Sequence, residues 1–180
     1  GATSRTMGWL IATFSIAQFL FSPLWGTLSD RVGRKPIMMI GLAGNAVGMV
    51  LFGLAQTVPL LFVARSITGV LSAATLPTAM AMIADSTTKE ERAKGMGVLG
   101  AAFGLGAIFG PVLGGVLGSY WIQLPYFAAA GLSLVTLALV WTILPETLPK
   151  EGSDAGASRR LSQRLRAWNP STMPLYLLAL

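Results

Sequence analysis

The chain has 180 residues, of which 53% are hydrophobic and 11% are charged, and its formal net charge is +6. A water-soluble domain can hardly cover so large an apolar fraction with a polar surface, so the composition favours a membrane protein with several spans. The chain has no cysteine and no histidine, which excludes disulfides and thiolate metal sites and removes the commonest general base, and this counts against an enzyme.

Five apolar segments of about 20 residues predict membrane-spanning helices, because a helix of that length crosses a ~30 Å hydrocarbon core. In chain order they are 7–28, 37–56, 60–83, 95–117 and 125–144. The sequence therefore predicts an all-α membrane protein.

A polar tract, 145–173, follows the fifth span and is typical of a linker between two halves of a membrane protein. Within it, residues 159–168 carry apolar side chains at i, i+4 and i+7 among arginines. This spacing favours a basic helix on the inner leaflet, and an unstructured basic linker is the alternative. Residues 174–180 begin a new apolar run that is too short to span, so we expect another transmembrane helix to start there and the chain to be a piece of a longer protein.

The distribution of positive charge predicts the orientation of the spans. Arg5 lies alone on one face and Arg65 lies within a span, while the other basic residues share the opposite face: Arg31, Arg34, Lys35, Lys89, Arg92, Lys94, Lys150, Arg159, Arg160, Arg164 and Arg166. The positive-inside rule makes that face cytoplasmic, linker included. Topology thus explains the net charge without a nucleic-acid partner. Since most helical transporters begin in the cytoplasm, we expect one further span before residue 1.

Between the first two spans, residues 26–36 combine charge with glycine: Gly26, Asp30, Arg31, Gly33, Arg34 and Lys35. Gly26 permits close helix packing, and Gly33 permits a left-handed turn. Asp30 is suited to meeting the positive end of a helix. The alternative is an ordinary positively charged loop with a solvated aspartate.

The string G-x-L-S-D-R-x-G-R-K in this segment resembles the signature loop between the second and third helices of the major facilitator superfamily. The resemblance implies a conformational latch in which Asp30 meets a helix end in the other half of the protein. It also implies that Arg34 pairs with Asp85, at the cytoplasmic end of the third span.

The third span contains Arg65, whose charge is costly at membrane depth and should face the bundle and find acceptors. Snorkelling toward the outer headgroups is the alternative. Arg65, Gly69 and Ala73 follow the R-x-x-x-G-x-x-x-A pattern that the resembled family has in its fourth helix, where the arginine is linked to proton coupling. Thr68 and Leu71 depart from residues common in that pattern.

The fourth span is rich in glycine, and its pattern is formed by Gly97, Gly106, Gly110, Pro111, Gly114 and Gly115. Glycines four residues apart allow close helix packing, which is one explanation. The full string resembles the antiporter signature of the fifth helix in drug/proton exporters of the superfamily. The segment Pro145-Glu146-Thr147 resembles the end of the sixth helix in the same group.

The resemblance implies a major facilitator fold containing the second to sixth helices of the N-terminal half and the start of the seventh, in a twelve- or fourteen-helix protein. It also implies proton-coupled export of drug-like amphiphiles by alternating access, with the proton gradient as energy source and no cofactor or metal. The partners would be a small-molecule substrate, the bilayer and the other half of the transporter. No carboxylate falls at membrane depth in these spans, and Gln18 is the one residue we assign to a substrate cavity. A carrier of metabolites, sugars or lipids, and a non-transporting scaffold or receptor, are the alternatives.

Overall fold

The computed structural model describes residues 4–147, and for Glu90 the backbone only. This range forms six helices and no strand: α1 Ser4–Val32, α2 Arg34–Leu54, α3 Val58–Ser72, α4 Thr75–Ser86, α5 Lys89–Tyr120 and α6 Leu124–Ile143. The all-α prediction is confirmed. The predicted linker beyond residue 147, its helix 159–168 and the helix start at 174–180 lie outside the described residues.

Five helical stretches are long and apolar enough to cross a membrane, with α3 and α4 acting together as one stretch, Val58–Ser86. Their outer surfaces carry large apolar side chains such as Phe19, which is 79% exposed, and Trp9, which is 65% exposed. Apolar surface of this extent requires a lipid environment. The chain is therefore part of an integral membrane protein.

The segment predicted as a loop at 26–36 is mostly helical. α1 continues to Val32 and α2 begins at Arg34, so the chain turns at Gly33 alone. Gly33 has a φ of 120°, which is strained for any residue with a Cβ. Asp30 therefore lies on the last turn of α1 rather than in a solvated loop.

α5 starts six residues earlier than predicted, at Lys89 rather than residue 95. A capping box explains this start: the Thr88 hydroxyl accepts from Glu91 N at 3.3 Å, and the Glu91 carboxylate accepts from Thr88 N at 3.4 Å. The T-x-x-E signal is visible in the sequence. It shows that charged residues extend a helix beyond its apolar part.

The third span was predicted as one helix over 60–83, and the structure divides it at Ala73 and Ala74. Pro77 makes this division possible. It lacks the N–H that would bond to Ala73 O, and its ring displaces that carbonyl. In the first turn of a separate helix α4, the missing donor has no cost.

α2 lies at the centre of the bundle, in contact with α1, α3, α4 and α6. On the side of α2 that faces α3 and α4, a Cβ added to Gly48 would lie 1.9 Å from Thr68 Oγ1, and one added to Gly44 would lie 2.2 Å from Leu71 Cβ. The absence of side chains at these positions lets the helix backbones approach closely. The two residues that depart from the resembled pattern, Thr68 and Leu71, are therefore those that fill the space over the glycines.

Candidate functional site

Arg34 is the centre of a charged cluster at one end of the bundle. Its Nη2 lies 2.6 Å from Asp30 Oδ1 and its Nε lies 3.0 Å from Asp85 Oδ2, while Nη1 donates to Ser29 Oγ at 2.7 Å. Arg34 is only 8% exposed. A guanidinium is suited to this position because its rigid fork can donate in several directions at once. The cluster joins the ends of α1, α2 and α4.

Glu146 closes the same end of the bundle from the segment after α6. Its carboxylate accepts from the backbone N–H groups of Arg34 and Lys35, at 2.9 and 3.1 Å. These are the first two N–H groups of α2, which have no partner within the helix. A negative charge there also interacts favourably with the positive end of the helix dipole. Glu146 is therefore the N-terminal cap of α2.

Lys35 makes the reciprocal contact. Its Nζ donates to the backbone carbonyl of Trp141 at 2.7 Å, and that carbonyl lies in the last turn of α6, where carbonyls lack helical partners. A carboxylate from the α6 side thus caps α2, and an ammonium group from α2 caps α6. We call the contacts of Arg34, Lys35 and Glu146 with their partners the charged clasp.

The remaining predicted residues of this segment surround the charged clasp. Gly26 lies on α1 opposite α4, where an added Cβ would be 4.0 Å from Pro77 Cβ. Arg31 lies in the last turn of α1 and is exposed. The structure brings Arg34 and Asp85 together, as the resemblance implied, and it also brings Asp30 to Arg34.

Three partners in the charged clasp were not anticipated from the sequence. These partners are Ser29, Trp141 and Glu146. Ser29 lies 5 residues from Arg34 in the sequence, whereas Trp141 and Glu146 each lie more than 100 residues from the α2 residue they contact. The Pro-Glu-Thr segment after the fifth predicted span was the one signal that could have indicated Glu146. Its partner could not be inferred, because backbone N–H groups carry no sequence signature.

Arg65 lies between two aromatic rings. Its Cζ is 4.6 Å from the Phe52 ring centre and 5.5 Å from that of Phe14, distances typical of cation–π contacts. Arg65 Nε is buried and has no hydrogen-bond partner within residues 4–147. The side chain thus faces the bundle, as expected, but aromatic rings rather than the expected acceptors surround it there.

The glycine pattern of α5 lies on an uncovered helix. A Cβ added at any of its glycines, Gly97, Gly106, Gly110, Gly114 or Gly115, would meet nothing within 4 Å. Pro111 lies inside the helix and is exposed. Within the described residues, these glycines are therefore not required by any packing contact.

Gln18 lies at a groove of about 780 Å³ between α1 and α4. Its Nε2 donates to Ser72 Oγ at 3.4 Å. Ser15, Ser22 and Phe19 also line the groove, which has both hydroxyl and apolar walls. Across residues 4–147, no group of three or more acidic, histidine or cysteine side chains could hold a metal ion.

Comparison with known proteins identifies the family. The model of the Major Facilitator Superfamily matches residues 1–180. The chain belongs to the major facilitator superfamily. Multidrug resistance protein 2 of Bacillus subtilis (strain 168) is 34% identical over 178 residues, which cover 98% of this chain and 44% of the relative.

Two further matches agree. The class D tetracycline resistance protein of Salmonella ordonez is 38% identical over 148 residues, covering 82% of this chain and 37% of that protein. The crystal structure of the human organic anion transporter TETRAN matches with a TM-score of 0.72 and 34% identity, covering 80% of this chain and 33% of that one.

These matches confirm the predicted major facilitator fold and the resemblance to the multidrug and tetracycline-resistance members of the superfamily. They relate the chain to transport and resistance proteins rather than to enzymes. The chain spans less than half the length of the relatives it matches.

Proposed function

We propose that this chain is part of a secondary active transporter that exports drug-like or amphiphilic small molecules, driven by the proton gradient. In this proposal the chain supplies the second to sixth helices of the N-terminal half, residues 145–173 form the cytoplasmic linker to the other half, and residues 174–180 begin the seventh helix. The protein would lie in the inner or plasma membrane of a bacterial cell and would confer antibiotic resistance. It would need no cofactor and bind no nucleic acid.

The observation that carries the proposal is the charged clasp, in a chain that matches a multidrug resistance protein along almost its whole length. Arg34 connects α1, α2 and α4 through ion pairs and a hydrogen bond at one end of the bundle. The two carboxylates are partly exposed, Asp30 by 59% and Asp85 by 34%, so water can replace Arg34 as their partner when the helix ends separate. These contacts are therefore suited to hold one of two arrangements of a transporter, as alternating access requires.

Asp30 is the member of the charged clasp suited to an outside partner. Its side chain is 59% exposed although one oxygen contacts Arg34. The exposed part leaves room for a helix N-terminus of the other half to approach, which is the role that the family resemblance implies for this acid. The interaction would be worth about 0.3 to 1 kcal/mol, enough to bias two conformations without locking one.

The uncovered glycine face of α5 supports the export assignment and a second half. A helix with no side chains along one stripe is suited to close contact with another helix. Since no described residue occupies that stripe, we assign it to contact with the other half of the transporter.

For proton coupling we propose Arg65. A cation whose Nε is buried and unpaired within residues 4–147 attracts a carboxylate and lowers its proton affinity, so its approach to or withdrawal from an acid elsewhere in the protein would release or take up a proton. For substrate contact we propose Gln18, whose amide borders a groove with polar and apolar walls. Such a surface fits amphiphilic molecules.

Two other functions follow from the same fold. A carrier of a metabolite, sugar or lipid would have the same clasp but would not reduce drug accumulation. A scaffold or receptor would need the packing of the helices but neither Arg65 nor Asp30.

The test is efflux from cells that lack their own drug pumps and express the complete coding sequence containing this chain. Ethidium accumulation should fall, and a protonophore should restore it. Arg65→Met and Asp30→Asn should each reduce efflux at unchanged protein levels, while Arg5→Gln, at an exposed position in the first turn of α1, should not. Efflux that survives collapse of the proton gradient would contradict the coupling. A protein that folds in the membrane but moves no amphiphile would contradict drug export and support the carrier or the scaffold.

A further inference from the structure

The junction between α3 and α4 carries a hydrogen bond that the packing alone does not require. The indole Nε1 of Trp25, on α1, donates to the backbone carbonyl of Val70 at 2.7 Å. In a continuous α-helix that carbonyl would bond to Ala74 N, four residues later. In the structure Ala74 N instead bonds to Leu71 O, three residues earlier, at 3.2 Å. The Trp25 side chain, from another helix, therefore donates to the carbonyl that Ala74 N would bond in a continuous α-helix.

The backbone at the junction is close to both arrangements. Ala73 has φ −56° and ψ −21°, and Ala74 has φ −68° and ψ −29°, values in the range of a 3₁₀-helix and about 10 to 20° in ψ from an α-helix. A change of about 20° in ψ would return Ala74 N to Val70 O. The Trp25 indole and the Ala74 amide are thus alternative principal donors to one carbonyl.

The choice of donor changes the shape of the third span. A 3₁₀ turn has about 3.0 residues per turn and an α-helix 3.6, so each residue converted rotates the following helix by roughly 20°. Leu76 and Pro77, at the start of α4, line the groove beside Gln18. A change of the donor to Val70 would therefore turn Leu76 and Pro77 by about 20° per converted residue relative to that groove.

We propose that Trp25 is a positioning residue that holds the third span divided, by occupying the Val70 carbonyl, and that without its N–H the junction closes toward continuous α-helix. Pro77 makes a divided span possible because it removes one α-helical hydrogen bond at Ala73. It does not determine how Ala74 bonds, and that is the step assigned to Trp25. The proposal concerns the shape of the span and does not depend on what the protein transports.

The test uses the complete membrane protein with spin labels at Val63→Cys and Met80→Cys, two exposed positions on α3 and α4. The chain itself contributes no background label because it has no cysteine. Trp25→Phe keeps the ring but removes the donor. We expect the distribution of distances between the two labels to shift in Trp25→Phe. The ratio of molecules with a divided span to molecules with a continuous span should fall roughly five-fold, because one hydrogen bond contributes a net stabilisation of that size. The matched control is Trp9→Phe on the same helix, whose indole is exposed, and it should leave the distribution unchanged.

A second measurement observes the indole donor directly. In a ¹⁵N–¹H spectrum of the complete protein, the indole signal that is missing in Trp25→Phe should, in the parent, be shifted downfield and protected from exchange with D₂O. If Trp25→Phe does not fold, a variant in which every other tryptophan of the complete protein is replaced by phenylalanine retains the Trp25 signal alone. The proposal is overturned if the Trp25 signal exchanges as fast as that of Trp9. It is also overturned if Pro77→Ala changes the Val63–Met80 distance while Trp25→Phe does not.

Discussion

Glu146 occupies the space that a side chain on Gly33 would need. A Cβ added to Gly33 would lie 2.7 Å from Glu146 Oε2, and the Gly33 φ of 120° is itself unfavourable for other residues. The turn between α1 and α2 is therefore open to the carboxylate because residue 33 is glycine. Two segments separated by more than 100 residues depend on each other at this point.

Gly33→Ala should destabilise the protein for both reasons. The backbone conformation of Gly33, φ 120° and ψ 151°, costs a residue with a Cβ about 1 to 3 kcal/mol, and the methyl group would also displace Glu146 from α2. The midpoint of thermal unfolding in detergent should fall by several degrees. Gly131→Ala is the control, because an added Cβ there meets nothing within 4 Å and alanine favours a helix. An unchanged midpoint for Gly33→Ala would mean that the turn does not have this backbone conformation.

Glu146→Ala should lose the cap of α2 at a cost of roughly 1 kcal/mol, as is typical for the loss of a helix N-cap. Glu146→Gln retains an acceptor oxygen but not the charge, so it should lose less than half of that stability. Thermal unfolding of both variants at low and high salt tests this, since added salt should reduce the difference between Glu and Gln. Equal stability of the Ala variant and the parent would contradict the capping role.

Arg34→Lys should impair the protein although it conserves the charge. An ammonium group on a flexible chain cannot reproduce the contacts that the guanidinium makes with Asp30, Asp85 and Ser29. We expect a loss of stability of roughly 1 to 3 kcal/mol, the range for hydrogen bonds to charged groups, together with reduced efflux. Thermal unfolding and ethidium accumulation measure the two effects.

Exchange of Arg34 and Asp85 tests whether their pair acts alone. The double variant Arg34→Asp with Asp85→Arg should recover only part of the activity that each single variant loses. The reason is that the new aspartate at position 34 would lie one helical turn from Asp30 and repel it. Complete recovery would show that Asp30 contributes nothing to the cluster. No recovery beyond the single variants would count against the pair itself.

Glycine substitutions should separate packing within this chain from contact with other parts of the transporter. Gly48→Ala should destabilise the helices strongly, since its Cβ would lie 1.9 Å from Thr68 Oγ1, whereas a Cβ at residue 110 meets nothing within the described residues. Gly110→Ala should therefore leave the packing of α1 to α6 unchanged and reduce efflux by obstructing the proposed contact with the other half. Equal efflux by Gly110→Ala and the parent would contradict that assignment.

Phe52→Leu should weaken the environment of Arg65 without removing its charge. Loss of the nearer ring removes a cation–π contact, which contributes about 0.5 to 2 kcal/mol of interaction free energy. We expect ethidium accumulation to rise because proton-driven efflux is slower, with little change in the amount of protein expressed. Phe103→Leu, at an exposed position on α5, is the control. Equal efflux by both variants would indicate that Phe52 does not influence Arg65.

The sequence by itself determined the spans, the all-α class and the family, because these depend on properties that act locally along the chain. The length of an apolar run is set by bilayer thickness. The family is indicated by motifs of fixed spacing, to which Gly33, Arg34 and the α5 glycines belong. The start of α5 at Lys89 and the division of the third span were predicted wrongly, although the capping box at Thr88 and the proline at 77 are visible in the sequence and act within a few residues.

Apart from the Arg34–Asp85 pair, the tertiary structure alone decided which groups meet across the bundle. The backbone N–H groups of α2 bond to Glu146, the Trp141 carbonyl bonds to Lys35, and the Val70 carbonyl bonds to Trp25. In each of these contacts at least one partner is a backbone group, which every residue possesses, so no pattern in the sequence marks it. Arg65 illustrates the same limit, because its charge was evident from the sequence while the two rings that surround it come from different helices.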